Sequence, residues 1–336
     1  MISRRTFLIR AAEIGAGAAA LGLFGAAELR KGSSKPWNTK AFAPVTSARV
    51  AVTSTTSYTG DLEATVYEGL RAIGADLSGK RVLLKPNLVE FDAGTVINTD
   101  ARVVAATVLA ARRLGAKDVT VGDGPGHRRD TDYVVSASGF ADALHAVDAG
   151  FIDLNTAPVR RVPLESHYTK LGELWLSEPV AAADVVISMP KLKTHHWAGV
   201  TLSLKNLFGT LPGRVYGWPK NVLHWAGIEP SIIDIASAVR PHYAIVDGIV
   251  GMEGNGPIQG APKAAGVLVF GDDPVATDTV AARLMGLDPT KIAYLSEAAR
   301  FLGEGRWEMI EQRGEDPERH ITPFALLPQF ERLRMA

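Results

Sequence analysis

At 336 residues, with 46% hydrophobic and 21% charged side chains, the chain has the composition of a globular protein and the length to bury a substantial core. Its 36 Lys and Arg equal its 36 Asp and Glu, which argues against a nucleic-acid coat or general adhesion to anionic membranes. The chain has no cysteine, so disulfides, thiolate metal sites, cysteine-ligated iron–sulfur clusters and cysteine nucleophiles are excluded.

The chain opens with Ser3-Arg4-Arg5-Thr6-Phe7-Leu8, and a Gly/Ala-rich apolar stretch runs from Ile14 to Ala27. A basic region, an apolar region and a small-residue end, in that order, read as a twin-arginine export signal over residues 1–30. Such a signal implies the twin-arginine export machinery as a partner and a periplasmic or other extracytoplasmic location. The plainer alternative is an ordinary helix with a basic start. The stretch is too short and too rich in small residues to be a stable membrane span. Candidate cuts follow Ala27 and Ala43, and residues 31–47, with Gly, Ser, Pro and Lys, read as a linker.

From residue 48 onward, β-branched runs alternate with helical patterns. Arg49–Thr53, Arg81–Leu84 and Val119–Val121 read as strands; Asp61–Ile73 and Asp100–Leu114 read as helices between them. Tyr133–Ser138 and Ala141–Val147 read as short helices split by Gly139. Phe151–Leu154, Val159–Val162 and Leu174–Leu176 read as strands of a small antiparallel insert around 151–176. Val185-Val186-Ile187 has the unbroken apolar character of a buried strand. Val200, Leu204, Leu207, Phe208 and Leu211 share a helical face, and Ser231 with Asp234 fits a capping box for a helix reaching Val239. Ala244–Val246 and Val267–Phe270 are further strands. Asp273 and Pro274 open a helix that Gly286 closes, and Leu295–Phe301 is another. The alternation predicts an α/β fold: a mostly parallel sheet with helices on both faces, over residues 48–300, followed by a C-terminal extension, 301–336. Arg313–His320 reads there as loop, while Phe324 and Leu333 read as packing onto the domain.

In such folds ligands sit beyond the carboxyl ends of the strands. Four predicted strands end in polar residues beside Pro or Gly: Lys85-Pro86-Asn87, Asp123-Gly124, the run Pro190–His196, and Asp247-Gly248. Asp-Gly pairs are also ordinary turn chemistry. The run containing Lys191, Lys193, His195 and His196 is costlier to place beside a core without a ligand. In an extended segment His195 and His196 point opposite ways, so one of them faces the site. Lys205 and Asn206 lie on an otherwise apolar helix, and Gly254-Asn255-Gly256-Pro257 is a loop whose glycines permit close backbone approach. Asp278 lies in the first turns of its helix.

These motifs resemble, in order, the family of domain of unknown function 362: Val82–Asn87, Val121–Gly124, Pro190–His195, Leu204–Gly209, Asp247-Gly248, Gly254–Pro257 and Gly271–Asp278. The resemblance spans nearly all of residues 48–300 and implies the fold class. Some members carry ferredoxin-type cysteines for iron–sulfur clusters; this chain has none, so that property is not carried over. The family supplies no general reaction.

Two functions are expected from the residues. One is an enzyme acting on a phosphate- or carboxylate-bearing small molecule. In it Lys85, Asn87, Lys191, Lys205, Asn206 and Asn255 bind the ligand, and Lys193 and His195 are catalytic. Asp123, Asp247 and Asp278 would hold a divalent metal. His195 is the acid–base candidate because an unperturbed histidine titrates at about 6.5. The other is a non-catalytic envelope binding protein for a metal or anion, using the same residues.

Overall fold

A computed structural model describes residues 35–126 and 130–336. The segment read as a twin-arginine signal, residues 1–30, lies outside the described residues. None of the described helices is long and apolar enough to cross a membrane.

Among the described residues, one sheet carries eleven strands. Its main path uses β1 (Ala48–Ser54), β2 (Arg81–Pro86), β3 (Asp118–Asp123), β4 (Phe151–Asp153), β7 (Val185–Met189), β10 (Tyr243–Glu253), β12 (Val267–Gly271) and β13 (Ile310–Gly314). Their order is β13-β1-β12-β10-β7-β2-β3-β4. β10, β7, β2, β3 and β4 are parallel neighbours, as are β13 and β1, and β12 runs against both β1 and β10.

Among the described residues, the period of two along each strand builds two large cores and a small third cluster of Leu83, Leu154, Val180 and Val186. Val50 and Val52 of β1, Val246 of β10, and Val267 and Val269 of β12 enter one core, which includes residues of the helices Ile228–Val239, Pro274–Leu284 and Ala293–Ala298. Ala51, Ile245, Leu268 and Phe270, from the same strands, enter the other with the helices Leu62–Ala72 and Ala101–Arg113. The mostly parallel sheet with helices on both faces, expected from the alternating pattern, is therefore present.

Of the expected antiparallel insert, β5 (Val159–Pro163) and β6 (Glu173–Ser177) form a separate two-stranded antiparallel sheet. β4 instead extends the main sheet, with Phe151 paired parallel to Val121. The apolar run 200–211 is not one helix. It is divided between β9 (Gly199–Thr201), a short α-helix Ser203–Asn206 and a 3-10 turn Leu207–Thr210. Ser231 and Asp234 do not cap a helix start, because their helix already begins at Ile228. Asp234 is buried and accepts hydrogen bonds from the Ser166 hydroxyl, the Tyr168 and Thr169 amides and the Thr169 hydroxyl.

The termini of the described chain are tied to the domain. Trp37 and Phe42, in the segment expected to be a linker, are buried. Trp37 stacks on Phe301 at 4.5 Å between ring centroids, and Phe42 meets the same ring edge-on at 4.9 Å. In the expected extension, β13 adds to the sheet beside β1, with Ala48 opposite Ile310. Phe324 and Leu333 are buried, as their apolar character suggested.

Candidate functional site

The parallel register brings the strand ends together. Leu84 pairs with Val121 and Lys85 with Ser188, so β2, β3 and β7 finish at one edge. Pro190 follows β7, and the chain continues at once as β8 (Lys191–His195) alongside β10, with Lys191 opposite Asp247. A cavity of about 330 Å³ opens at this edge. Of the residues proposed from sequence, Lys85, Asn87, Asp123, Lys193, His195, Lys205 and Asn206 line it.

Lys85 and Asp123 form a buried ion pair of 2.7 Å in the wall. Lys85 also donates to the Pro86 carbonyl and to Asn206 Oδ1. Asp123 accepts the amides of Leu88 and Gly124 at 2.7 Å each. Burial lowers the Lys85 pKa, and Asp123 opposes the shift. Gly209 passes so close that a Cβ there would overlap Asp123 Oδ1 and Lys85 Nζ. Asn206 completes the knot by donating to the Lys85 carbonyl and the Ser188 hydroxyl, 3.0 Å each.

Lys193 is fully buried. It donates to the Ile97 carbonyl at 2.7 Å and the Pro257 carbonyl at 3.3 Å. Burial, then the nearby Lys191, Lys205 and Lys85, holds its pKa well below the usual lysine range. The His195 ring accepts the Trp197 and Ala198 amides on Nδ1, at 3.1 and 3.2 Å. This fixes a neutral tautomer with the proton on Nε2. Burial, then Lys205 and His196, pushes the His195 pKa well below 6.5. His195 is therefore a neutral hydrogen-bond donor rather than the group that titrates near neutrality.

That property belongs to lysines. Lys205 sits at 4.0 Å over the Phe208 ring, and burial beside Lys85 brings its pKa down to about 7. Lys220, not singled out from sequence, is buried in the same wall and donates to the Gly124 and Phe208 carbonyls at 2.7 and 2.8 Å. Burial lowers it to about 7 as well, against the pull of Asp123. His224 and Thr201 were likewise not anticipated and line the cavity. Asn87 Oδ1 and Thr201 Oγ1 are buried without a hydrogen-bond partner among the described residues. The signal for Lys220 was a single lysine after Trp218-Pro219, far from any strand end.

The remaining candidates lie elsewhere. Lys191 pairs with Asp247 at 2.6 Å, and Tyr58 bridges them by donating to Asp247 Oδ1 and accepting from Lys191. Asp247 also accepts the Asp100 amide. Lys191 and Tyr58 line a second cavity of about 370 Å³. Asn255 is exposed and bonds Gln259 in an adjoining groove that His196 shares. Asp278 is buried in the domain, accepting the Ser203 amide and hydroxyl and the Leu204 amide, and burial pushes its carboxyl up to about 7.

The expected metal set of Asp123, Asp247 and Asp278 is therefore not assembled. Each carboxylate is occupied by a different lysine or amide cluster, and no group of three His, Asp or Glu among the described residues could hold a metal ion.

The profile described as Domain of unknown function (DUF362) matches residues 82–283, well over half of the chain. The chain belongs to the DUF362 family. The thylakoid-associated protein of Synechocystis sp. (strain ATCC 27184 / PCC 6803 / Kazusa) is 34% identical over 249 residues, covering 70% of this chain and 73% of that protein. A structure of the lactate racemase apoprotein from Thermoanaerobacterium thermosaccharolyticum aligns with a TM-score of 0.40 and 15% identity, over 64% of this chain and 52% of that one. The chain thus spans about half of that structure, and a likeness at this level carries no functional argument. In this DUF362 protein, the cavity residues Lys85, Asp123, Lys193, His195, Lys205 and Lys220 all fall inside the matched region.

Proposed function

We propose that the cavity binds a small molecule bearing a carboxylate or phosphate group, and that the protein acts on it as an enzyme. The observation that carries this reading is an unbalanced wall: four lysines line the cavity against one aspartate, and that aspartate is held by Lys85. A buried ammonium without a counter-charge is costly, and the protein lowers that cost by depressing the lysine pKa values. An entering anion supplies the missing charge and draws protons back onto the amines. The His195 Nε2–H adds a fixed neutral donor. Groups with pKa near 7 are suited to exchanging protons with a bound substrate, which assigns to Lys205 and Lys220 the role expected of His195.

Titration calorimetry with inorganic phosphate and with small carboxylates tests the reading. Binding that disappears in Lys220→Met, with the fold retained, supports it; no binding of either anion class removes it. The arginine pair Arg4-Arg5 adds export to this proposal, and fractionation of cells expressing the full-length chain tests that part separately.

A further inference from the structure

Three of the four cavity lysines are anchored. Lys85 is held by Asp123, Asn206 and the Pro86 carbonyl, Lys193 by the Ile97 and Pro257 carbonyls, and Lys220 by the Gly124 and Phe208 carbonyls. Lys205 differs: no hydrogen-bond acceptor meets its amine among the described residues, and its neighbour is the face of Phe208. A charged ammonium offers three donors and has no lone pair; a neutral amine needs less and carries a nucleophilic electron pair. Lys85 acts on this position, and Lys205 in turn acts on Lys193, Lys220, His195 and His224, so the ionisable groups coupled to it are all basic, while Asp123 is engaged by Lys85. A lysine desolvated in an apolar pocket beside other cations is an activated nucleophile.

We infer that Lys205 is the nucleophile of this cavity, and that the substrate carries an aldehyde or ketone carbonyl beside its acidic group, which Lys205 captures as an imine. The inference rests on the anion-binding reading above and narrows its substrate class. The amine lone pair attacks the carbonyl carbon, and the carbonyl π electrons move to oxygen. One amine proton passes to that oxygen, giving a carbinolamine. The nitrogen lone pair then forms the C=N bond as the hydroxyl departs with the second amine proton, as water. Addition of water reverses the sequence. The acidic group is held by the anchored donors, Lys193, Lys220 and the His195 Nε2–H, so the carbonyl is presented to the one amine that is free to move.

Pyruvate and glyoxylate are the probes. The full-length protein is incubated with each, treated with borohydride to deliver hydride to any imine carbon, and mapped by peptide mass spectrometry. Pyruvate is expected to leave a single carboxyethyl group on the peptide carrying Lys205, with about tenfold less on any other lysine. Lys205→Arg, shown by circular dichroism to be folded, is expected to lose it. Calorimetry with pyruvate, without borohydride, reads binding independently. Binding without a Lys205 adduct overturns the imine and leaves the anion site standing. Labelling spread evenly over surface lysines also overturns it. Labelling of Lys205 by acetone as efficiently as by pyruvate supports the nucleophile and removes the anion requirement, and neither binding nor adduct removes both. The wild-type map is decisive even if the variant misfolds.

Discussion

Lys85 and Asp123 stand side by side on neighbouring parallel strands as a 2.7 Å ion pair with each side chain only 1% exposed. The pair links the ends of β2 and β3 and, through Asn206, the helix that presents Lys205. Removing one member leaves the other charge buried alone. Asp123→Ala is expected to destabilise the protein by about 3–5 kcal/mol. The double change Lys85→Met, Asp123→Leu is expected to cost much less than the sum of the single changes. Urea unfolding of Lys85→Met, Asp123→Leu and the double variant checks this, and additive losses would remove the pairing argument.

Gly209 has to stay without a side chain for the same pair to form. Gly209→Ala directs a methyl group into Asp123 and Lys85, two side chains fixed by several hydrogen bonds each, so neither yields cheaply. A loss of about 1–3 kcal/mol is expected, as for overpacking elsewhere in cores. Gly150, where a Cβ would meet nothing and the backbone lies outside the left-handed region, serves as the control.

His195 separates scaffold from chemistry. His195→Ala strips the acceptor from the Trp197 and Ala198 amides and is expected to lower both stability and anion binding. His195→Asn offers an oxygen near the Nδ1 position while removing Nε2–H, and is expected to retain stability but weaken binding. Thermal melts and calorimetry on both variants check it; equal stability loss in the two would mean that Nδ1 is not the structural contact.

Lys205 sets a pH dependence. Its folded pKa, about 7, lies below the ordinary lysine value of 10.5. Between these limits the unfolded chain binds a proton that the folded chain does not, so this group makes stability rise as pH climbs from about 7 to about 10.5. Anion binding has the opposite sense, because Lys220, which burial also brings to about 7, holds the anion as an ammonium group. Affinity is expected to fall above pH 7, by up to about tenfold per unit, with proton uptake on binding. Calorimetry in buffers of different ionisation enthalpy reads the uptake. The stability slope is expected to flatten in Lys205→Met and the binding slope in Lys220→Met.

Much of this is legible in the sequence. The unbroken apolar runs announced strands covered on both sides, and the polar residues that follow them announced the edge where Lys85, Asp123, Lys193 and His195 gather. Asp247 and Lys191 read as part of the same site because a strand end shows which edge a residue reaches but not which wall it faces; Tyr58 bonds both, Lys191 lines the second cavity, and Asp247 is buried behind it. Asp278 read as a helix-start carboxylate, and its role in holding the Ser203 and Leu204 amides depends on a partner 74 or 75 residues distant in sequence. Lys220 was invisible for the same reason, since its position in the wall is set by the carbonyls of Gly124 and Phe208. His195 had the right location but the wrong proton chemistry, because the amides that bind its ring and the lysines around it have no signature in the residue type.

The aromatic contact between Trp37 and Phe301 makes the two candidate cut points unequal. A peptidase acting after Ala27 would leave both rings of the clasp in place. Cutting after Ala43 would carry away Trp37 and Phe42 together, baring Phe301 and the apolar surface beneath it, so a trimmed protein that begins at Pro44 should be stickier and less durable than one that keeps these residues.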